Sequence, residues 1–183
     1  MAEALGVDDG WPRSGDRIRL PDRVEIDADP QRAVERFLVA EAALLDADAL
    51  ERWWELFAED ALYWLPMSRD ASVPSAQLNL IFDDKRLLGD RIFRIRTGDA
   101  HTQDPPSQVT RVIGGVRVEG SDVSALPVWS TLLLTEFRRD TAMQYTARCS
   151  YLLRATSIGF EIVRKRVDLS VGSAVLPGLT FLF

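Results

Sequence analysis

Apolar residues recur along this chain in two regimes, at helical spacing up to the Asp-Pro-Pro of residues 104–106 and at strand spacing after it. Val34, Phe37, Leu38, Glu41 and Leu45 share one helical face, with Asp29 placed as its cap and Pro30 at its first position. Glu41 lies in the middle of that stripe. A carboxylate there needs a partner, an Arg or a Trp or Tyr donor, or else it is a pocket acid with a raised pKa. A second helix is predicted from near Asp48, where Asp48 and Glu51 have capping-box spacing and Leu50, Trp53, Trp54 and Phe57 follow at i, i+3, i+4 and i+7. ALYWLP, residues 61–66, reads as a short strand ended by its proline, and residues 67–82 read as loop. From Asp84 the pattern is helical again: Leu87, Leu88, Arg91, Ile92 and Ile95 share a face and Gly98 suits the C′ position. Gly89 weakens that helix, and residues 92–96 are also compatible with a strand.

Beyond the prolines, QVTRVIGGVRVEG, VWSTLLLTEF, MQYTARCSYLLRA and FEIVRKRVDL all read as strands. In the third, Tyr145, Ala147, Cys149, Tyr151 and Leu153 face one way, and Thr146, Arg148, Ser150 and Arg154 the other. The connections at 138–141 and 157–159 are short enough for antiparallel hairpins, and LTFLF is either one more strand or a docked tail. Helices first and strands second is the α+β pattern, with helices on one face of a bent antiparallel sheet. Residues 1–28, mixed in charge and rich in Gly and Pro, are expected to form an arm, and residues 29–183 a single domain.

The net charge of −6 argues against non-specific nucleic-acid binding. No apolar run is long enough to cross a bilayer, and the first residues have no basic start followed by an apolar run. A lone cysteine, Cys149, excludes an internal disulfide and fits a cytoplasmic location. Arg outnumbers Lys by 20 to 2, which suits forked ion pairs at an interface.

Chemistry is limited by the same counts. One His and one Cys cannot supply the two Cys and two His of a Rieske cluster, nor the two His and a carboxylate of a mononuclear iron site. No G-x-S-x-G elbow, P-loop or G-x-G-x-x-G is present. What the residues permit is an acid–base pocket in which His101, Asp99, Tyr63 and Glu41 converge, as in a cofactor-free lyase or isomerase.

Three blocks carry a family resemblance: VERFLVAEAALLDADALERWWELFAEDALYWLP at 34–66, the Phe-Asp-Asp at 82–84, and RIFRIRTGDAHTQDPPSQVTR at 91–111. The tail RKRVDL…GLTFLF at 164–183 adds to them. Together they resemble the small (beta) subunits of bacterial aromatic-ring-hydroxylating dioxygenases. The resemblance implies the cone-like nuclear-transport-factor-2 (SnoaL-like, cystatin-like) fold. It implies a trimeric base under three large (alpha) subunits, a three-plus-three hexamer. The Rieske 2Fe-2S cluster and mononuclear Fe(II) would belong to the large subunit, with electrons from NADH through a reductase and often a ferredoxin. This chain would then carry no cofactor and no catalytic residue, and would serve aromatic catabolism by stabilising the assembly. Arg96, Asp104, Pro105, Arg111, Arg164 and Arg166 fall in the resembling blocks and are the expected subunit-interface residues.

Overall fold

The computed structural model describes residues 28–68, 70–97, 107–120, 122, 124–157, 159–170 and 181–183. The expected arm up to residue 27 and the turn at 98–106 lie outside them. In chain order the elements are α1 (Ala28–Asp46), α2 (Leu50–Trp54), β1 (Phe57–Pro66), β2 (Asn79–Asp84), α3 (Lys85–Thr97), β3 (Gln108–Val118), β4 (Leu126–Arg138), β5 (Thr141–Thr156) and β6 (Gly159–Leu169). The strands form one sheet in the order β2-β1-β6-β5-β4-β3. Every neighbouring pair is antiparallel except β1 and β6, which run parallel. That exception closes the topology: the first strand inserts beside the last, so a contact of high sequence separation joins the helical half to the hairpin half.

Helix α1 packs across β3 and β6, while α3 rests on β1, β2 and α2. Both therefore cover the same face, the one lined by Tyr145, Ala147, Cys149, Tyr151 and Leu153 of β5, each nearly fully buried. From α1 come Val34, Leu38, Glu41 and Leu45, the stripe expected from spacing. Trp53 sits at the centre, edge-on to Phe57 at 4.8 Å and to Tyr63 at 5.7 Å between ring centroids.

Several local expectations are corrected. Helix α1 starts at Ala28, so Asp29 lies inside its first turn rather than capping it, the usual uncertainty of a helix end. Residues 48 and 51 form no capping box: α2 begins after Ala49, which makes no side-chain cap, and Asp48 has a left-handed φ of 53°. Both acids turn instead to Arg96, because a charge-assisted bond to guanidinium is stronger than one to a neutral amide. The strand expected at 61–66 begins four residues earlier, with Phe57 as its first residue. β2 begins in the stretch read as loop and runs on through Asp84, read as the start of the next helix. It is a short edge strand whose ends are Asn and Asp, and its Asp83 is buried on the core face, which hides the alternation.

Residues 92–96 are helical, and Gly89 has a packing reason: a Cβ there would lie 3.3 Å from Trp54 Nε1, where α3 crosses α2. Asp84 caps α3 by accepting the Leu87 N–H at 2.7 Å. In β3 the pairs Gly114–Thr131 and Arg117–Trp129 set three steps of one strand against two of the other. Gly115 takes up the extra residue at φ +60°, a bulge that bends the sheet edge under α1. The β4–β5 hairpin turns on Arg139 and Asp140, both left-handed as a two-residue turn of matching twist requires.

Candidate functional site

The chemistry-bearing groups collect around the Arg164-Lys165-Arg166 run of β6. Strand alternation sends Lys165, Val167 and Leu169 to the helix-covered face and Arg166 and Asp168 to the opposite one. Lys165, 2% exposed, meets Glu41 of α1 at 2.5 Å between Nζ and Oε1. Trp53 Nε1 donates to the same oxygen at 3.1 Å, and the Tyr151 hydroxyl donates to Oε2, also at 3.1 Å. The ammonium lies 5.4–5.8 Å from the ring centres of Trp53, Tyr63 and Tyr151, a cage of aromatic faces. Both carboxylate oxygens of Glu41 are thus engaged. Burial, with the Glu41 charge next, pushes the Tyr151 hydroxyl well above its ordinary pKa. Burial likewise pushes the Cys149 thiol up to about 12, so it stays protonated and unreactive near neutral pH.

A second cluster fastens the C-terminal residues. The Tyr63 hydroxyl, raised in pKa by burial, accepts the Phe183 N–H at 3.1 Å and donates to the Phe183 carbonyl at 3.3 Å. Arg111 of β3 pairs with Asp46 at the end of α1 and donates through Nη2 to the Leu182 carbonyl. Phe181 and Phe183 stack edge-on against Tyr145. Of LTFLF, the described residues 181–183 are a docked tail, with Phe183 1% exposed.

The outer face of the sheet is built differently. Arg166 lies over Trp64, its guanidinium carbon 4.3 Å from the ring centre, and pairs with Asp168 two residues on through Nε and Nη2. Arg164 donates to the Asp60 carbonyl at 3.0 Å, while Arg154 bridges Asp60 and Glu161. Toward β3 and β4 the same face shows Val112 at 58% and Phe137 at 46% exposure, next to half-buried Trp129 and Leu133.

Of the residues singled out from sequence, Glu41 and Tyr63 both reach the interior but bind different partners, Glu41 the Lys165 network and Tyr63 the tail. Asp99, His101, Asp104 and Pro105 lie outside the described residues. Arg96 clamps Asp48 and Glu51 across the α1–α2 corner, which lowers the Glu51 carboxyl to about 2. Arg111 and Arg166 have side chains only 2% exposed, whereas Arg96 and Arg164 keep solvent contact. Sequence reasoning passed over Lys165, Tyr151 and Trp53 as the partners of Glu41, and over Trp64 and Asp168. One signal for Lys165 was present: a lysine at an apolar parity position, in step with Val167 and Leu169, in a chain with only two lysines.

Among the described residues no group of His, Cys, Asp and Glu is arranged to hold a metal, and no helix is long and apolar enough to cross a membrane. The model of the family described as "Ring hydroxylating beta subunit" matches residues 40–173. The chain belongs to that family. It is 28% identical over 157 residues to the small oxygenase component of the p-cumate 2,3-dioxygenase system of Pseudomonas putida, covering 84% of this chain and 87% of that one. It is 32% identical over 141 residues to the anthranilate 1,2-dioxygenase small subunit of Acinetobacter baylyi, covering 73% and 85%. The benzoate 1,2-dioxygenase beta subunit of Burkholderia mallei superposes with a TM-score of 0.66 at 25% identity, over 81% of this chain and 95% of that one. An NTF2-like protein with a cystatin-like fold from Novosphingobium aromaticivorans, 18% identical with a TM-score of 0.55 over 79% and 85%, bears out the fold expected from sequence. The small subunit of a ring-hydroxylating oxygenase, rather than a free-standing lyase, is the reading these relatives support.

Proposed function

We propose that this chain is the non-catalytic structural member of an aromatic-ring-hydroxylating dioxygenase. It associates as a trimer and seats three large subunits in a cytoplasmic three-plus-three assembly that serves aromatic catabolism. The observation that carries the reading is the state of Glu41. Glu41, the acid on the α1 stripe, has both oxygens committed to Lys165, Trp53 and Tyr151, so it is not a free base to abstract a proton. The donor set of this chain does not fit a Rieske 2Fe-2S cluster or a mononuclear Fe(II) site, since it has one His and one Cys, and Cys149 is buried in mid-strand. Those centres are assigned to the large subunit, as is the choice of aromatic substrate.

The outer face of the sheet is the part of the surface suited to neighbouring chains. It combines exposed Val112 and Phe137 with flat guanidinium groups, the composition favoured at interfaces. Arg96 and Arg164 are the interface candidates that retain exposure. Arg166 lies on that face but its side chain is only 2% exposed, and Arg111 lies on the helix-covered side between Asp46 and Leu182. Asp104 and Pro105 remain interface candidates from their place in the resembling block.

The test is His101→Ala, co-expressed with the large subunit. Unchanged assembly and unchanged ring hydroxylation are expected. Loss of turnover with the assembly intact would contradict the proposal and favour a pocket acid or base.

A further inference from the structure

The sheet has two ends, strand β2 at one and strand β3 at the other, and each carries exposed apolar side chains. Beside β3 the outer face shows Val112 and Phe137, with half-buried Leu133 directly opposite Val112. At the β2 end stand Leu78, 76% exposed, and Phe82, which meets Trp64 edge-on at 6.4 Å on the same outer face. The Met67 N–H donates to the Leu78 carbonyl at 3.3 Å and sets exposed Met67 beside it. Single apolar side chains on a surface are ordinary, whereas grouped ones mark contacts.

The two ends are opposite in charge. On the β3 side Arg117 pairs across the strands with Trp129 and Arg148 with Thr131, so both arginines share the outer face. Arg148 is exposed and Arg117 half-buried, and neither guanidinium has a hydrogen-bond or ion-pair partner among the described residues. On the β2 side Ala71 packs on Trp64, and the neighbouring Asp70 is exposed. The Asp70 carboxylate also has no partner among the described residues, and Asp84 uses only Oδ1, to cap α3.

Symmetry decides what each patch meets. A twofold contact sets a patch against its own copy, which here faces arginine with arginine or aspartate with aspartate. A threefold has only head-to-tail contacts, and these need two unlike patches on one chain. This chain carries one of each sign. A sheet running on from β3 into the next copy is blocked, because α1 occupies that edge: Asp46 accepts the Arg111 N–H at 3.1 Å and Gln31 donates to the Val116 carbonyl at 2.9 Å. The contact is therefore made by side chains.

We propose that each patch is filled by a second copy of this chain: the Val112–Arg148 patch of one copy seats against the Leu78–Asp70 patch of the next, head to tail around the threefold. This rests on the trimeric reading above and assigns its contact surfaces. The test uses the full chain co-expressed with the large subunit. Val112→Cys and Leu78→Cys are made singly and together, and each assembly is treated with a short bismaleimide. The native Cys149, 1% exposed, does not react. The paired variant is expected to give covalent dimers and trimers of this chain, and neither single variant a product between two copies. Arg148→Glu should raise the dissociation constant of the trimer about tenfold, read by native mass on dilution. Arg148→Glu with Asp70→Arg in the same chain should bring it back to within about threefold of the parent, since every contact regains opposite charges. Three results would each overturn the proposal and leave the trimer standing: a product between two copies from either single variant, no product from the paired variant at unchanged native mass, or a double reversal no tighter than Arg148→Glu. A parent chain that shows no self-association would overturn the trimeric reading as well.

Discussion

Lys165 and Arg166 are neighbours in one strand, both nearly without solvent contact, yet they do opposite work. Lys165 faces the helices and bonds Glu41, which is 124 residues away in sequence. Its ion pair joins the first helix to the last strand through a core otherwise made of rings and aliphatic groups. Arg166 faces the other side and bonds Asp168, two residues away in the same strand. Its guanidinium also lies 4.3 Å from the ring centre of Trp64 on β1, beneath the sheet's outer surface. The lesson is that one β-strand can spend adjacent cations on two tasks, fold closure on one face and surface shaping on the other. Burial alone does not tell the two apart, whereas the face of the strand each side chain takes does.

The inner side is broken most severely by Glu41→Ala. It leaves the Lys165 ammonium buried without its counter-charge, and a loss of about 3–5 kcal/mol in urea unfolding is expected. Glu41→Leu with Lys165→Met should recover most of that loss, because an apolar pair of similar volume has no desolvation cost. If the double variant is no more stable than Glu41→Ala, the ion pair is not what links helix to sheet.

Tyr63→Phe has a smaller effect on the same face. It removes both bonds to Phe183 and leaves a buried N–H unpaired, at a cost of about 1–3 kcal/mol. Faster amide exchange confined to Phe183 and its neighbours would identify the tail as the site of the loss.

The corner clamp contributes less because it is solvent-exposed. Glu51 is held at about 2 in the folded chain against an ordinary 4.5. Its folded pKa is depressed, so its contribution is present above pH 4.5 and fades as pH falls toward 2. Solvent screening keeps the whole effect within about 1 kcal/mol. Arg96→Ala should flatten the slope of melting temperature with pH in that window, and added salt should flatten it in the parent chain.

The smallest stability change is expected on the outer face. Val112→Asp, at a position 58% exposed, should alter unfolding by no more than about 0.5 kcal/mol. It should nevertheless shift the native mass from the assembly toward the single chain. A fall in stability with the assembly intact would erase the contrast between the two faces.

Much of this arrangement was legible in the chain. The alternation of MQYTARCSYLLRA placed its core-facing residues correctly because the strand is central and half-buried, the condition under which period two is clear. Glu41 announced its need for partners by interrupting an apolar stripe, and two of the donor types, Trp and Tyr, were foreseeable. The third, Lys165, was hidden among arginines that face the other way. β2 was missed because a six-residue edge strand with acidic ends offers few apolar positions. The parallel pairing of β1 with β6 was not legible, since nothing local in either strand encodes a partner a hundred residues away.

The most direct test is the native mass of the tagged chain purified from its own host, with iron determined on the same sample. The account predicts a three-plus-three assembly in which the iron accompanies a larger co-purifying chain. A homo-oligomer with no larger chain, or iron bound in stoichiometric amount to this chain alone, would contradict it.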